Sequence, residues 1–250
     1  MSTDQIIDHD SWNYSPAKLP QQSKITLGRI HGVLPFDGTR NPGSRSSVAH
    51  RVWLTYRTLA NGFQPKVGIA ESAAEVAVGY EFLIDPELYD LRFQPLTVGF
   101  TDTDGKKRSY THDLLATFID GRRRLVFVRN SESLQKPSTW RDIEAIRAAT
   151  PKGAADDLAI VNAADYSRQR RENLFRLHEA VQSPDEATDE IVLWTARNHK
   201  KIWLMRDLFP LVQMPQKTVF RSCLRLIARG HLIANLDHVI AEWSRIDVSS

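Results

Sequence analysis

Residues 110–129, YTHDLLATFIDGRRRLVFVR, contain two largely apolar runs on either side of an Asp120-Gly121 turn signal. Between Leu91 and Asn130 the sequence pattern has the period of two that is typical of strands, and a second turn signal, Asp104-Gly105, lies within this region. We therefore predict a three-strand meander formed by residues 91–94, 110–119 and 125–129.

The segments that flank the meander predict a mixed α/β domain. Apolar residues recur at helical spacing and predict helices over residues 71–83, 142–149 and 163–181. The short apolar run Leu158–Val161 predicts a buried strand between the second and third of these helices.

The distribution of turn-forming residues predicts three parts. Residues 1–45 are rich in Asp, Ser, Pro, Gly and Asn, which predicts a flexible N-terminal arm. Residues 46–182 form the α/β domain, and Ser183-Pro184-Asp185-Glu186 marks its end. Residues 183–250 read as helical up to Gly230 and then as a short strand over 231–236, the order expected of a small winged-helix-like domain.

The composition limits the classes of function that the chain can have. The 250 residues carry 33 Lys and Arg against 30 Asp and Glu, a net charge of +3, and the sequence pI is about 9.0. Clustered arginines favour a basic surface that is compatible with nucleic acid. A single cysteine, Cys223, excludes an intrachain disulfide and a thiolate zinc cluster, and no run is apolar and long enough for a membrane helix. We expect a cytoplasmic protein without a membrane partner.

A basic stripe is predicted on the helix that begins near Gln216. Four cations recur at four-residue steps, and such a stripe is either a DNA-contacting face or an ordinary solvated face. They are Lys217, Arg221, Arg225 and Arg229. We also expect Trp194 and Trp203 to be core anchors and not platforms for base stacking.

Five short motifs together resemble the N-terminal domain of the TnsA-like endonuclease subunits of heteromeric transposases. The resemblance covers residues 65–135, and residues 218–237 resemble the family's C-terminal helical part more loosely. The motifs are Glu71–Glu75, Ile84-Asp85-Pro86, Phe93-Gln94-Pro95, Tyr110–Asp113 and Leu125–Arg129. The resemblance implies a restriction-endonuclease-like mixed sheet flanked by helices.

The resemblance also implies a divalent metal site. The family's helix acid corresponds to Glu75 and its strand aspartate to Asp113, and these two residues would bind Mg²⁺. The second ligand position is occupied by Phe127 and the catalytic lysine position by Arg129. A phenyl ring supplies no oxygen ligand, and an arginine, whose pKa is above about 12, cannot act as a general base.

The meander provides a geometric requirement for this site. A two-residue Asp120-Gly121 turn would pair Asp113 with Val128, on the opposite face from Phe127 and Arg129. We therefore predict an odd number of residues in the connection, with Arg122 in a bulge as one form of it. An alternative role for Asp113 is to cap its strand.

Three functions follow for testing. The first is a component of a transposition system that binds double-stranded DNA beside a partner transposase, with weakened or lost phosphodiester cleavage. The second is a working Mg²⁺-dependent endonuclease with a rearranged site. The third is a non-catalytic protein-interaction module.

Overall fold

The computed structural model describes residues 30–40, 51–102 and 104–249. The strands are β1 (Val52–Tyr56), β2 (Lys66–Ala70), β3 (Leu88–Phe93), β4 (Thr97–Thr101), β5 (Lys107–Thr111), β6 (Leu114–Phe118), β7 (Arg123–Arg129), β8 (Asp157–Asn162), β9 (Leu232–Ile233) and β10 (Asp247–Val248). The α-helices are α1 (Ala73–Leu83), α2 (Ser131–Leu134), α3 (Pro137–Ala149), α4 (Arg168–Val181), α5 (Glu186–Asn198) and α6 (Gln216–Ala228). The fold is therefore mixed α/β, as predicted.

The largest sheet among the described residues is mixed and has four strands, in the order β3-β6-β7-β8. β3, β6 and β7 are antiparallel neighbours, whereas β8 runs parallel to β7. A parallel neighbour requires a crossover connection, and α3 lies within the segment that links β7 to β8. One face of the sheet packs with α1 and α4, and the other packs with α3.

The predicted meander is confirmed in its strand pairing but not in its continuity. The single strand predicted over 110–119 is two strands, because β5 ends at Thr111 and β6 begins at Leu114. The β4–β5 hairpin is inserted between β3 and β6 and pairs only within itself. Gln94, directly after β3, has a positive φ of 51°, and this turns the chain out of the sheet before Pro95.

The odd connection between β6 and β7 is confirmed. The amide of Phe118 donates to the carbonyl oxygen of Arg122 (2.9 Å), which leaves three loop residues, Ile119, Asp120 and Gly121. Gly121 supplies the left-handed conformation (φ 85°) that such a three-residue hairpin loop needs. Arg122 is itself paired and is not a bulge, so the odd residue is in the loop.

Helix α1 begins with a serine cap, close to its predicted start at residue 71. Ser72 is the N-cap, and its hydroxyl accepts the backbone amide of Glu75 (3.2 Å). The helix runs to Leu83, so its predicted extent is confirmed to within two residues. Its residues 74–80 are all buried, which fixes α1 tightly against the sheet.

Residues 30–40 fall within the predicted arm but contact β2 and the end of β3. Leu34 forms a parallel bridge with Lys66, and Phe36 packs on the core between the sheet and α1. The amide of Thr39 donates to the carbonyl oxygen of Gln94 (2.8 Å). The rest of the predicted arm, residues 1–29 and 41–45, lies outside the described residues.

The C-terminal part has a second core, formed chiefly by α5, α6 and the segments that follow them. Helix α4 contributes Leu174 to the first core and Leu177 and Ala180 to the second, so it joins the two. The helical run predicted from 183 to Gly230 is interrupted between α5 and α6, where a short 3₁₀ helix spans Met205–Leu208. Of the strand predicted over 231–236, only Leu232 and Ile233 form a strand, β9, which pairs with β10. In the described part of the chain, no helix combines the length and apolarity that a bilayer crossing requires.

Candidate functional site

Asp113 lies in the gap between β5 and β6, where β3 and β7 meet it from both sides. Its amide donates to Val126 (3.3 Å) and its carbonyl oxygen accepts the amide of Gln94 (2.9 Å). The β6–β7 register pairs Leu114 with Val126, and extending it by one residue places Asp113 opposite Phe127. The two side chains therefore share one face, as the sequence argument requires.

The Asp113 carboxylate is buried and hydrogen-bonded. Its Oδ2 accepts the backbone amide of Val128 (2.7 Å) and the hydroxyl of Tyr110 (3.0 Å). The bond to Val128 is the bond a strand cap makes, so the capping role is present in the structure. It does not exclude a second role for the other carboxylate oxygen.

Phe127 and Arg129 lie beside Asp113 and do not point away from it. The Phe127 ring is buried against Tyr110, with ring centroids 4.8 Å apart. The Arg129 guanidinium lies 4.0 Å above the Phe127 ring and 5.0 Å from the Tyr110 ring, and its Nη1 is 3.7 Å from Asp113 Oδ2. Two aromatic faces and one carboxylate thus hold this cation at the edge of the sheet.

Glu75 is buried, although glutamates on helices are mostly exposed to solvent. Its Oε2 accepts the amide of Glu71 (2.9 Å) and its Oε1 accepts the hydroxyl of Ser72 (3.0 Å). Both carboxylate oxygens therefore satisfy donors at the start of α1. Glu75 therefore satisfies donors at the start of its own helix and is also a candidate site residue.

Three further residues around this pair were missed as site candidates. Arg40 forms an ion pair with Glu71 and approaches Oε1 of Gln94 (3.5 Å). Gln94 is fully buried, and its side-chain amide nitrogen has no hydrogen-bond partner among the described residues. Gln94 and Glu71 belong to the motifs that carry the resemblance, but no local signal in the sequence places Arg40 here.

The pKa values of Glu75 and Asp113 are both raised above the ordinary carboxyl value. Burial raises the pKa of Glu75, and the nearby charges of Asp113 and then Glu71 raise it further. Burial also raises the pKa of Asp113, while Arg129 and the bonds from Val128 and Tyr110 oppose that shift. The net effect at both residues favours the protonated, neutral carboxyl over the carboxylate.

A divalent metal does not fit the donors that this cluster presents. Mg²⁺ needs several oxygen ligands in octahedral geometry, and the position that the resemblance gives to a further ligand is occupied by Phe127, which has no side-chain oxygen. Arg129 brings a positive charge to the same place. Among the described residues, no group of three or more His, Cys, Asp and Glu side chains is arranged to hold a metal ion.

The structure divides the predicted basic stripe of α6. Lys217 and Arg221, in its N-terminal half, are exposed. Arg225 is only 3% exposed and binds Asp189 on α5 through Nε and Nη2, at 2.7–3.0 Å. Arg229 also reaches Asp189, at 3.1 Å. The four-residue stripe is thus corrected to two surface cations, because α5 covers the C-terminal half of the helix.

The two tryptophans predicted to be core anchors are on the surface. Trp194 and Trp203 are 64% and 60% exposed. Trp194 lies on α5 away from the face that buries Val192 and Ala196, and Trp203 stacks with Arg245 at 5.4 Å. The prediction was wrong because a tryptophan's size says nothing about which face of its helix finds a partner.

Comparisons with known proteins neither support nor contradict the resemblance. No family model matches the chain, and no curated protein matches it significantly.

Proposed function

We propose that this chain is a DNA-binding component of a transposition system of the TnsA-like class, acting beside a partner transposase, with phosphodiester cleavage lost or much weakened. One observation carries the proposal: Asp113 faces Phe127 and Arg129 across β6 and β7, where the resemblance implies a ligand and a catalytic lysine. The acids of the site remain, while the groups that complete its chemistry have changed.

The order of elements supports the restriction-endonuclease-like part of the proposal. Helix α1, which carries Glu75, is followed by the antiparallel strands β3, β6 and β7 and then by the crossover to a parallel β8. Glu75 and Asp113 are brought within electrostatic range although 38 positions separate them in the numbering. This is the juxtaposition that a metal-dependent nuclease of that fold needs.

Arg129 supports binding without catalysis. A guanidinium remains protonated at every physiological pH, so it cannot take a proton from water, but it can bind a phosphate through paired N–H donors. Its Nη1 donates to the Val128 carbonyl oxygen (2.7 Å), and its side chain is 31% exposed. The site is therefore suited to hold a DNA phosphate at the edge of the sheet, without the Mg²⁺ that cleavage requires.

The C-terminal part supports DNA binding by a winged-helix-like arrangement. Its order is α5, a 3₁₀ helix, α6 and the β9–β10 pair, and Leu204 forms an additional antiparallel bridge with Arg245. In helix-turn-helix proteins the N-terminal residues of the recognition helix contact the bases. Lys217 and Arg221 occupy that half of α6.

A cleavage assay tests the loss of activity. Purified chain, alone and with a candidate partner transposase, is incubated with supercoiled plasmid carrying transposon ends in Mg²⁺ or Mn²⁺, and nicked product is measured. We expect no nicking above that of the Asp113→Ala variant. Metal-dependent nicking that Asp113→Ala abolishes would establish the working endonuclease instead.

A salt titration tests DNA binding. We expect the logarithm of the affinity for duplex DNA to fall linearly with the logarithm of salt concentration, and Lys217→Glu and Arg221→Glu each to weaken binding and lower the slope by about 1. Arg141→Glu, at an exposed cation on α3, is the matched control and should change the slope less. An affinity without a salt slope would favour the protein-interaction module.

A further inference from the structure

Trp243 is a large aromatic residue presented to solvent beside the N-terminal half of α6. Its side chain is 62% exposed and lies in the segment that connects β9 to β10. Trp243 lines a groove with a volume of about 520 Å³, and Phe220 and Lys217 of α6 line the same groove. An exposed indole and an α6 cation therefore share one concave surface.

The backbone around Trp243 is held rigidly. The carbonyl oxygens of Glu242 and Ser244, its two neighbours, accept the amides of Arg206 (2.7 Å) and Met205 (3.0 Å) from the 3₁₀ helix. The amide of Ser244 also donates to Ala241 (2.9 Å), which closes a tight turn with Trp243 inside it. The exposed ring is therefore displayed by a fixed loop.

Anchors on either side of the turn complete this support. Ile240 and Ile246 are buried in the second core. Ser244 Oγ accepts the amide of Ala241 (2.9 Å) and donates to Val239 (3.1 Å). Fixing the loop in advance lowers the entropy that a ligand must overcome when it stacks on the ring.

The charges of the groove favour an anionic ligand. Its charged residues are Arg176, Lys217 and Glu242, two cations against one anion. Arg176 is partly committed, because its Nη1 donates to the Ile240 carbonyl oxygen (2.8 Å) and its guanidinium lies 5.8 Å from the Phe220 ring. Lys217 is the exposed cation of the groove, and Arg221 lies one helical turn further along α6. Aromatic rings alternating with cations are typical of surfaces that bind single-stranded nucleic acid.

We propose that Trp243 is a stacking platform for an unpaired base at a DNA end or junction, with Lys217 contacting the adjoining phosphate. The inference rests on the proposed DNA-binding function and adds a preference for DNA with a single-stranded tail. A second groove on the other side of Trp243, of about 780 Å³, also contains the exposed side chains of Ile233 and Val239. Docking of an apolar protein segment on that side is the competing outcome.

Fluorescence anisotropy with labelled DNA tests the inference. The full chain is titrated into a blunt duplex and into the same duplex with a single-stranded thymidine tail, at one fixed salt concentration. We expect tighter binding to the tailed duplex, by about 5- to 150-fold, which corresponds to about 1–3 kcal/mol for one stacked base. Trp243→Ala should remove the difference and leave blunt-duplex affinity nearly unchanged, while Trp243→Phe should retain part of it.

Trp194→Ala is the matched control, because this indole is equally exposed but lines neither groove. It should keep the full preference for the tail. Equal affinity of the wild-type chain for blunt and tailed duplexes would overturn the inference while leaving the proposed function intact. A tail preference that survives in Trp243→Ala would also overturn it. Absence of binding to either DNA would overturn both proposals.

Discussion

Replacing Asp189 by alanine removes the carboxylate that neutralises the most deeply buried arginine of the C-terminal part. Asp189 is 4% exposed and Arg225 is 3% exposed. The carboxylate accepts Nε and Nη2 of Arg225, the hydroxyl of Ser222 (2.7 Å) and Nη1 of Arg229 (3.1 Å). In Asp189→Ala the Arg225 guanidinium retains only the Ser183 carbonyl oxygen at 3.4 Å and Asp185 at 4.0 Å.

We expect this substitution to lower the free energy of unfolding by about 3–5 kcal/mol. That is the usual cost of leaving one member of a buried ion pair without its partner, because the remaining charge is still desolvated. The exposed pair Arg245–Asp247 provides the scale for comparison, since its side chains are 66% and 58% exposed. Asp247→Ala should cost about 0–1 kcal/mol.

Urea denaturation followed by tryptophan fluorescence measures the difference, because Trp194, Trp203 and Trp243 all lie in the C-terminal part. The double variant Asp189→Leu, Arg225→Met should lose much less stability than Asp189→Ala, since the charge that it leaves without Asp189, that of Arg229, is 31% exposed and reaches solvent. The reasoning fails if Asp189→Ala loses no more than Asp247→Ala. In that case Arg225 would be solvated, and it would return to the set of candidate DNA contacts.

Two further predictions concern the α/β domain. The pKa of Glu75 is raised in the folded chain. Its contribution to the free energy of unfolding is therefore fully present below the ordinary carboxyl pKa of about 4.3, and it is lost as the pH rises from there through the raised pKa. In Glu75→Gln the free energy of unfolding should therefore fall less than in the wild type as the pH rises from weakly acidic to weakly alkaline. An equal fall in both proteins would show that Glu75 is ionised throughout this range. Gly121→Ala should cost about 1–2 kcal/mol through its left-handed φ of 85°, measured as a lower urea midpoint, although open space surrounds the position. Gly153→Ala, at an equally open position without a positive φ, should be close to neutral, and equal effects at the two positions would contradict the strain argument.

Several helices and strands of residues 46–182 could be predicted from the sequence because each is determined by residues close together in the chain. An N-cap serine sets the start of α1, a three-residue loop ending in Gly121 sets the register of β6 and β7, and an apolar run forms β8. The shared face of Asp113 and Phe127 was predictable for the same reason, since side chains on a strand alternate. The break at His112-Asp113 and the separate pairing of β4 with β5 were not predicted.

Burial and long-range partners were decided by the tertiary structure. The sequence placed a cation at each of Lys217, Arg221, Arg225 and Arg229, but only the packing of α5 on α6 determines that the latter two neutralise Asp189. The sequence likewise gave no reason for Arg40 to meet Glu71, or for Trp194 to face solvent. Helical and strand periodicity report which residues share a face, whereas the environment of that face depends on segments tens of residues away. The sequence therefore determines the charge and size of each side chain. The fold determines whether a charged side chain lies on the surface or is buried beside a counter-ion.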